Sequence, residues 1–184
     1  NPAGPRHDLD SDFNLSVTVT TIESATGVTQ NALSEASYTF NAPVIVTAVA
    51  DGVTSSGLSI VVEDVTKTIG SNIAYAKSDT DGSEHVTAVE ISGFPVGATI
   101  TYTDMLGAPQ SFIATGGESI TLSGPKSAAT ETAIRAALDT LNVTAHAQSD
   151  VNFALTVAIT TEDNDGSATT QNFNHGVTVQ AVAD

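Results

Sequence analysis

Apolar and polar residues alternate with a period of two along most of the chain. In Phe13-Asn14-Leu15-Ser16-Val17-Thr18-Val19-Thr20-Thr21 the odd positions are apolar up to Val19 and the even ones polar, and Phe153-Ala154-Leu155-Thr156-Val157-Ala158-Ile159-Thr160-Thr161 keeps the same rhythm. Strict alternation describes a strand with one face in a core and the other in water. On this basis strands are predicted near Leu58–Val62, Val86–Ile91, Thr99–Thr103, Ser111–Ala114, Ser119–Leu122, Phe153–Thr161 and Val177–Val182. Gly93-Phe94-Pro95-Val96-Gly97 and Gly116-Gly117 punctuate them as turns. The period changes once, where Ile134, Ala137, Leu138 and Leu141 fall on one helical face with Thr130 ahead as the predicted N-cap. The expected fold class is therefore all-β: an Ig-like or cadherin-like β-sandwich with one short helix capping it.

The chain also resembles itself. The block Phe13–Thr21 matches Phe153–Thr161 at an offset of 140, and Val44-Ile45-Val46-Thr47-Ala48-Val49-Ala50-Asp51 matches Val177-Thr178-Val179-Gln180-Ala181-Val182-Ala183-Asp184 at an offset of 133. Two matching blocks in one order define a repeat, with an intervening loop that differs by seven residues. Residues 52–184 then read as one complete unit. Residues 1–51 read as the end of another, with its last two strands within 8–51 and a linker at Ala48-Val49-Ala50-Asp51-Gly52. Two strands bury too little to stand alone in water, so their open edges need a partner: the complete unit, a second copy, or a completing segment.

Charge narrows the function. With 21 acidic and 5 basic residues the net charge is −16, which repels nucleic acid. Either the acids serve solubility or a salty environment, or divalent cations neutralise part of them. No cysteine is present, which removes disulfides, thiolate catalysis and Cys-based zinc. No apolar run reaches membrane-spanning length and no leader opens the chain, so direct membrane insertion is not expected, and the chain reads as an excerpt or as the product of a leaderless export route.

The acids gather at turns. Asp79-Thr80-Asp81-Gly82-Ser83-Glu84 alternates carboxylates around a glycine, which suits a hard cation or an acidic β-turn. Glu63-Asp64 can add ligands if its turn meets that one at the same end of the domain, and Asp51 of the linker can join them. Glu162-Asp163-Asn164-Asp165-Gly166 sits in the hairpin between the last two strands, where Asp-Gly is also ordinary turn chemistry. Asp8, Asp10 and Asp12 precede the first matched strand, with Asp150 as a partial counterpart. The metal-ligand candidates are thus Asp51, Glu63, Asp64, Asp79, Asp81, Glu84, Asp163 and Asp165, with Ca2+ as the expected cofactor. Calcium at the linker would stiffen the junction, and bare carboxylates would loosen it. His7, His85, His146 and His175 are scattered as surface or turn residues, with no HExxH pattern. No GxSxG elbow or P-loop occurs, and no enzymatic activity is expected.

These motifs, together with Gly93-Phe94-Pro95-Val96-Gly97-Ala98-Thr99-Ile100, Ser149-Asp150-Val151-Asn152-Phe153 and the Ala-Val-Ala-Asp endings, resemble the tandem Ig-like repeats of giant type I secreted RTX adhesins of Gram-negative bacteria. The resemblance covers residues 52–184 fully and 8–51 in part. It implies a secreted, cell-surface rod of calcium-rigidified repeats that supports cell adhesion and biofilm formation, with neighbouring repeats as partners. It implies junction calcium held by acids like Glu63, Asp79, Asp81 and Glu84. Some members insert sugar- or peptide-binding modules into a split repeat near the tip. That leaves a second reading, a calcium-dependent module whose Asp163 and Asp165 face a peptide or glycan on a host or neighbouring cell. The linker departs from the family in one place, running Asp51-Gly52-Val53 where such repeats often have Asp-Ala-Pro.

Overall fold

A computed structural model describes residues 11–23, 35–78, 82–146 and 149–182. The chain divides into two compact units, residues 1–47 and 48–184. The boundary falls ahead of the linker because the linker's Ala50 N–H donates to Ser167 Oγ (3.0 Å), deep in the second unit's sequence.

The first unit is an antiparallel hairpin of β1 (Phe13–Ile22) and β2 (Glu35–Val44), paired from Phe13↔Val44 to Ile22↔Glu35. Its second strand lies mostly upstream of the matched block 44–51. One face carries Phe13, Leu15, Val17, Val19, Phe40 and Val44. The other is polar, and hydroxyl pairs Thr18–Thr39 and Thr20–Ser37, both 2.8 Å, cross it. Residues Asp8 and Asp10 lie outside the described residues.

The second unit contains β3 (Val53–Ser56), β4 (Leu58–Val62), β5 (Lys67–Thr68), β6 (Ala74–Lys77), β7 (His85–Ser92), β8 (Thr99–Thr103), β9 (Pro109–Ile113), β10 (Ser119–Ser123), α1 (Ala128–Asp139), β11 (Asn142–Thr144), β12 (Phe153–Glu162) and β13 (Ala168–Gln180). One sheet runs β10-β7-β12-β13-β4, a second β5-β11-β8-β9, and β3 pairs with β6. All described pairings are antiparallel except β13 with β4. The fold is the predicted all-β sandwich, with one short α-helix, and one turn of 3-10 helix at Gly70–Asn72, among the described residues. Val61, Val89, Ile100, Leu155, Val157 and Ile159 are buried in one core cluster. Each such aliphatic contributes about 1.5–3 kcal/mol relative to exposure.

The helix packs on β7 and β10 of one sheet and β8 of the other, inserting Ile134, Ala137 and Leu138 between the layers. Its N-cap is Ser127 rather than Thr130. Ser127 is extended (φ −172°, ψ 155°) and its Oγ accepts the Thr130 N–H at 3.1 Å, so Thr130 already lies inside the first turn. The last strand also differs: β13 starts at Ala168, nine residues before the predicted Val177. Its polar first half, Thr169-Thr170-Gln171-Asn172, hides the alternation, and ten cross-strand pairs to β12 extend the strand regardless.

One histidine belongs to this core instead of the surface. His175 on β13 is 3 % exposed, and its Nε2 lies 2.9 Å from Ser59 Oγ, which also accepts from Asn72 Nδ2 at 3.2 Å. Burial lowers its pKa from the ordinary 6.5. The folded state therefore resists protonation, and His175's share of stability is complete above pH 6.5 and is lost as pH falls below it. Chemical denaturation in calcium-free buffer between pH 7.5 and 5 should show a decline that His175→Gln flattens.

Candidate metal centre

The site begins with a bulge. β7 and β12 run in register from Thr156↔Ser92 to Thr160↔Ala88, then resume at Thr161↔Val86, so Thr87 is the extra residue. Without it, the alternation that turns Ile91 and Val89 inward would next turn Thr87 and His85 inward. With it, Val86 and Glu84 take the inner face, and His85 faces Glu131 of α1 instead (Nδ1···Oε2 3.1 Å). On the neighbouring strand the inner face at this end carries Thr161 and, just past β12, Asp163, both buried.

Glu84 is 1 % exposed. Its Oε1 accepts the Gly52 N–H at 3.1 Å, while Oε2 is buried with no hydrogen-bond partner, and so is Thr161 Oγ1. The Lys77 ammonium donates to the Glu84 main-chain carbonyl (2.7 Å) and to Glu131 Oε2 (3.2 Å). No ion pair among the described residues includes the Glu84 carboxylate. A buried carboxylate left so costs several kcal/mol, by order of magnitude, unless a cation or further donors complete it.

The linker is bound into the same end. Ser167 Oγ, Glu84 Oε1 and Gln171 Oε1 accept from the backbone N–H groups of Ala50, Gly52 and Val53, the last at 2.7 Å, and Ser78 N–H donates to Gly52 O at 3.0 Å. These bonds restrict what can stand at positions 52 and 53. Gly52 has φ +80°, a conformation alanine rarely adopts, and a proline at 53 would have no N–H for Gln171. Val53→Pro should leave the Gln171 acceptor unpaired and cost about 1–3 kcal/mol in a denaturant titration. Neither Ser167 nor Gln171 stood out in the sequence, since a lone polar side chain in a strand has no local signature.

The sequence-predicted ligands separate into groups. Asp51, exposed beside Gly52, and buried Glu84 and Asp163 lie at this end. Asp79 and Asp81 lie outside the described residues, and Ser78 and Glu84 on either side of them both bond Gly52. Glu63 and Asp64 are at the opposite end. Glu63 is buried where β4 leaves β13, with its N–H on Gln180 O (3.0 Å) and its Oε2 accepting from Val182 N–H (3.2 Å). The full length of β13, roughly 40 Å at 3.3 Å per residue, separates the two ends, so the two turns do not meet. Asp64 has φ +58° in the turn closed by Val65 N–H on Val62 O, a backbone role that Asp fills better than most residues. Asp163 and Asp165 build their hairpin turn: Asp163 Oδ1 accepts from Asn164 N–H (2.6 Å), and Asp165 Oδ1 accepts from Ser167 N–H (2.7 Å).

The described residues contain no group of three or more His, Asp or Glu side chains arranged to hold a metal. The unpaired oxygens at the Glu84 end are nonetheless all hard donors of the kind calcium takes. No helix among the described residues is long and apolar enough to cross a membrane. Neither protein-family models nor curated proteins give a match to this chain.

Proposed function

We propose that the chain is a calcium-stabilised structural segment of a large secreted bacterial surface adhesin, serving cell adhesion by extending a rod of Ig-like repeats. The observation that carries this reading is the buried Glu84 carboxylate, with one oxygen on the linker's Gly52 and the other unpartnered. Glu84 would hold the ion with Asp163 and with Asp51, Asp79 or Asp81 from the adjoining chain. When bound, the ion supplies charge neutralisation at the end of the sandwich where the linker enters. The chain's own residues do the rest: the Thr87 bulge turns Glu84 inward, and Glu84, Ser167 and Gln171 hold the linker backbone.

Support for a repeat comes from register. Every residue pair of β1–β2 corresponds to a pair of β12–β13 at the two sequence offsets, although the connecting loops differ in length. The ligand-receiving reading gains little from Asp165, which is exposed and accepts from Ser167 N–H in its own turn, so that it offers no buried, unpartnered oxygen like that of Glu84. Thermal melts of the full chain in millimolar calcium and in EDTA test the proposal. A higher melting temperature in calcium is expected, and identical curves would refute it.

A further inference from the structure

The two hairpins are copies in structure, which lets the covered one specify what the uncovered one lacks. Phe13↔Val44 and Val17↔Phe40 correspond to Phe153↔Val177 and Val157↔Phe173. A cap is repeated as well: Asp12 Oδ1 accepts from Val46 N–H at 2.9 Å where Asn152 Oδ1 accepts from Val179 N–H at 2.8 Å. Their surroundings differ. Leu155 and Ile159 are 0 % and 1 % exposed, against 50 % and 49 % for Leu15 and Val19 at the same positions. In the complete unit β12 pairs with β7 through Thr156–Glu162, and β13 pairs with β4 through Gly176–Gln180. The corresponding edges of the hairpin are Ser16–Ile22 of β1 and residues 43–47, and β2 ends at Val44, where its β4 equivalent would begin to support it.

We propose that the β1–β2 hairpin is the acceptor half of a second sandwich. Its complement is a further length of repeat polypeptide, which lays an antiparallel strand of the β7 kind along Ser16–Ile22 and a parallel strand of the β4 kind along residues 43–47. Strand addition satisfies the edge backbone, and side chains like Val86, Val89, Ile91 and Val61 widen the apolar face, which in the complete unit packs in one core with Ile100 and Val143 of the other sheet. A second copy of this chain is the poorer occupant, because its own β4 and β7 are already paired in its sandwich, and freeing them would open that core. The proposal is independent of calcium.

The test is amide hydrogen exchange by NMR on the full 184-residue chain, with synthetic peptides of residues 84–93 and 57–63 added at millimolar concentration. The expected result is exchange slowed at least about tenfold within Ser16–Ile22 and 44–47, with β12–β13 unchanged. Scrambled peptides should have no effect, and Val19→Asp should abolish the protection. Unprotected hairpin amides with both peptides present would overturn the proposal. So would protection that moves to β12–β13, or protection that grows with protein concentration alone, which would make a second copy the occupant.

Discussion

Leu155→Ala should destabilise the complete unit by about 2–5 kcal/mol, while Leu15→Ala at the matching position should cost under about 1 kcal/mol. The two leucines occupy the same place in two copies of one hairpin, each opposite the strand residue that its offset dictates: His175 for Leu155 and Ala42 for Leu15. Besides the residue opposite, burial differs. Leu155 is fully enclosed, so its truncation loses transfer free energy and leaves a cavity. Leu15 is half exposed, and water already reaches the space that truncation would open. Denaturant titrations of the full chain, followed by a probe in each unit, would measure both. Equally large losses would mean that Leu15 is covered in solution, against the exposed face on which the strand-acceptor proposal rests.

Glu84→Gln should abolish calcium-dependent stabilisation, worth roughly 2.7 kcal/mol at a hundredfold excess of calcium over its Kd. The substitution keeps an oxygen that can accept from Gly52 N–H, and keeps the shape of the side chain, but removes the charge. In EDTA the variant should be at least as stable as the parent, because an uncompensated buried carboxylate has been replaced by a neutral amide. The discriminating signature is therefore an interaction between substitution and ion. A variant that loses the same stability with and without calcium would make Glu84 a structural acceptor for the linker only.

The alternation made the sandwich legible wherever strands have one dry and one wet face. Leu58–Val62 and Thr99–Thr103 are strands at the predicted bounds, and β7, β10 and β12 differ by one residue at one or both ends. Short elements such as β5 and β11 have too few residues to show a period. The start of β13 was hidden because tertiary pairing with β12 overrides a polar local sequence. At the candidate site, the clustering of acids at turns was visible, but which of them point inward was not. A single bulge at Thr87 decides that Glu84 and not His85 is buried, and bulges leave little trace in composition. The separation of Glu63 from Glu84 was equally invisible, since it depends on the parallel pairing of β4 with the far end of β13.

If a cation completes the Glu84 carboxylate, anomalous diffraction from crystals of the full chain grown in calcium will locate it. An anomalous peak is expected in direct contact with Glu84 Oε2, with the remaining ligands drawn from Asp163 and from Asp51, Asp79 or Asp81. Density at Glu84 Oε2 that is a water or a lysine ammonium, with no anomalous signal at this end of the sandwich, would contradict it.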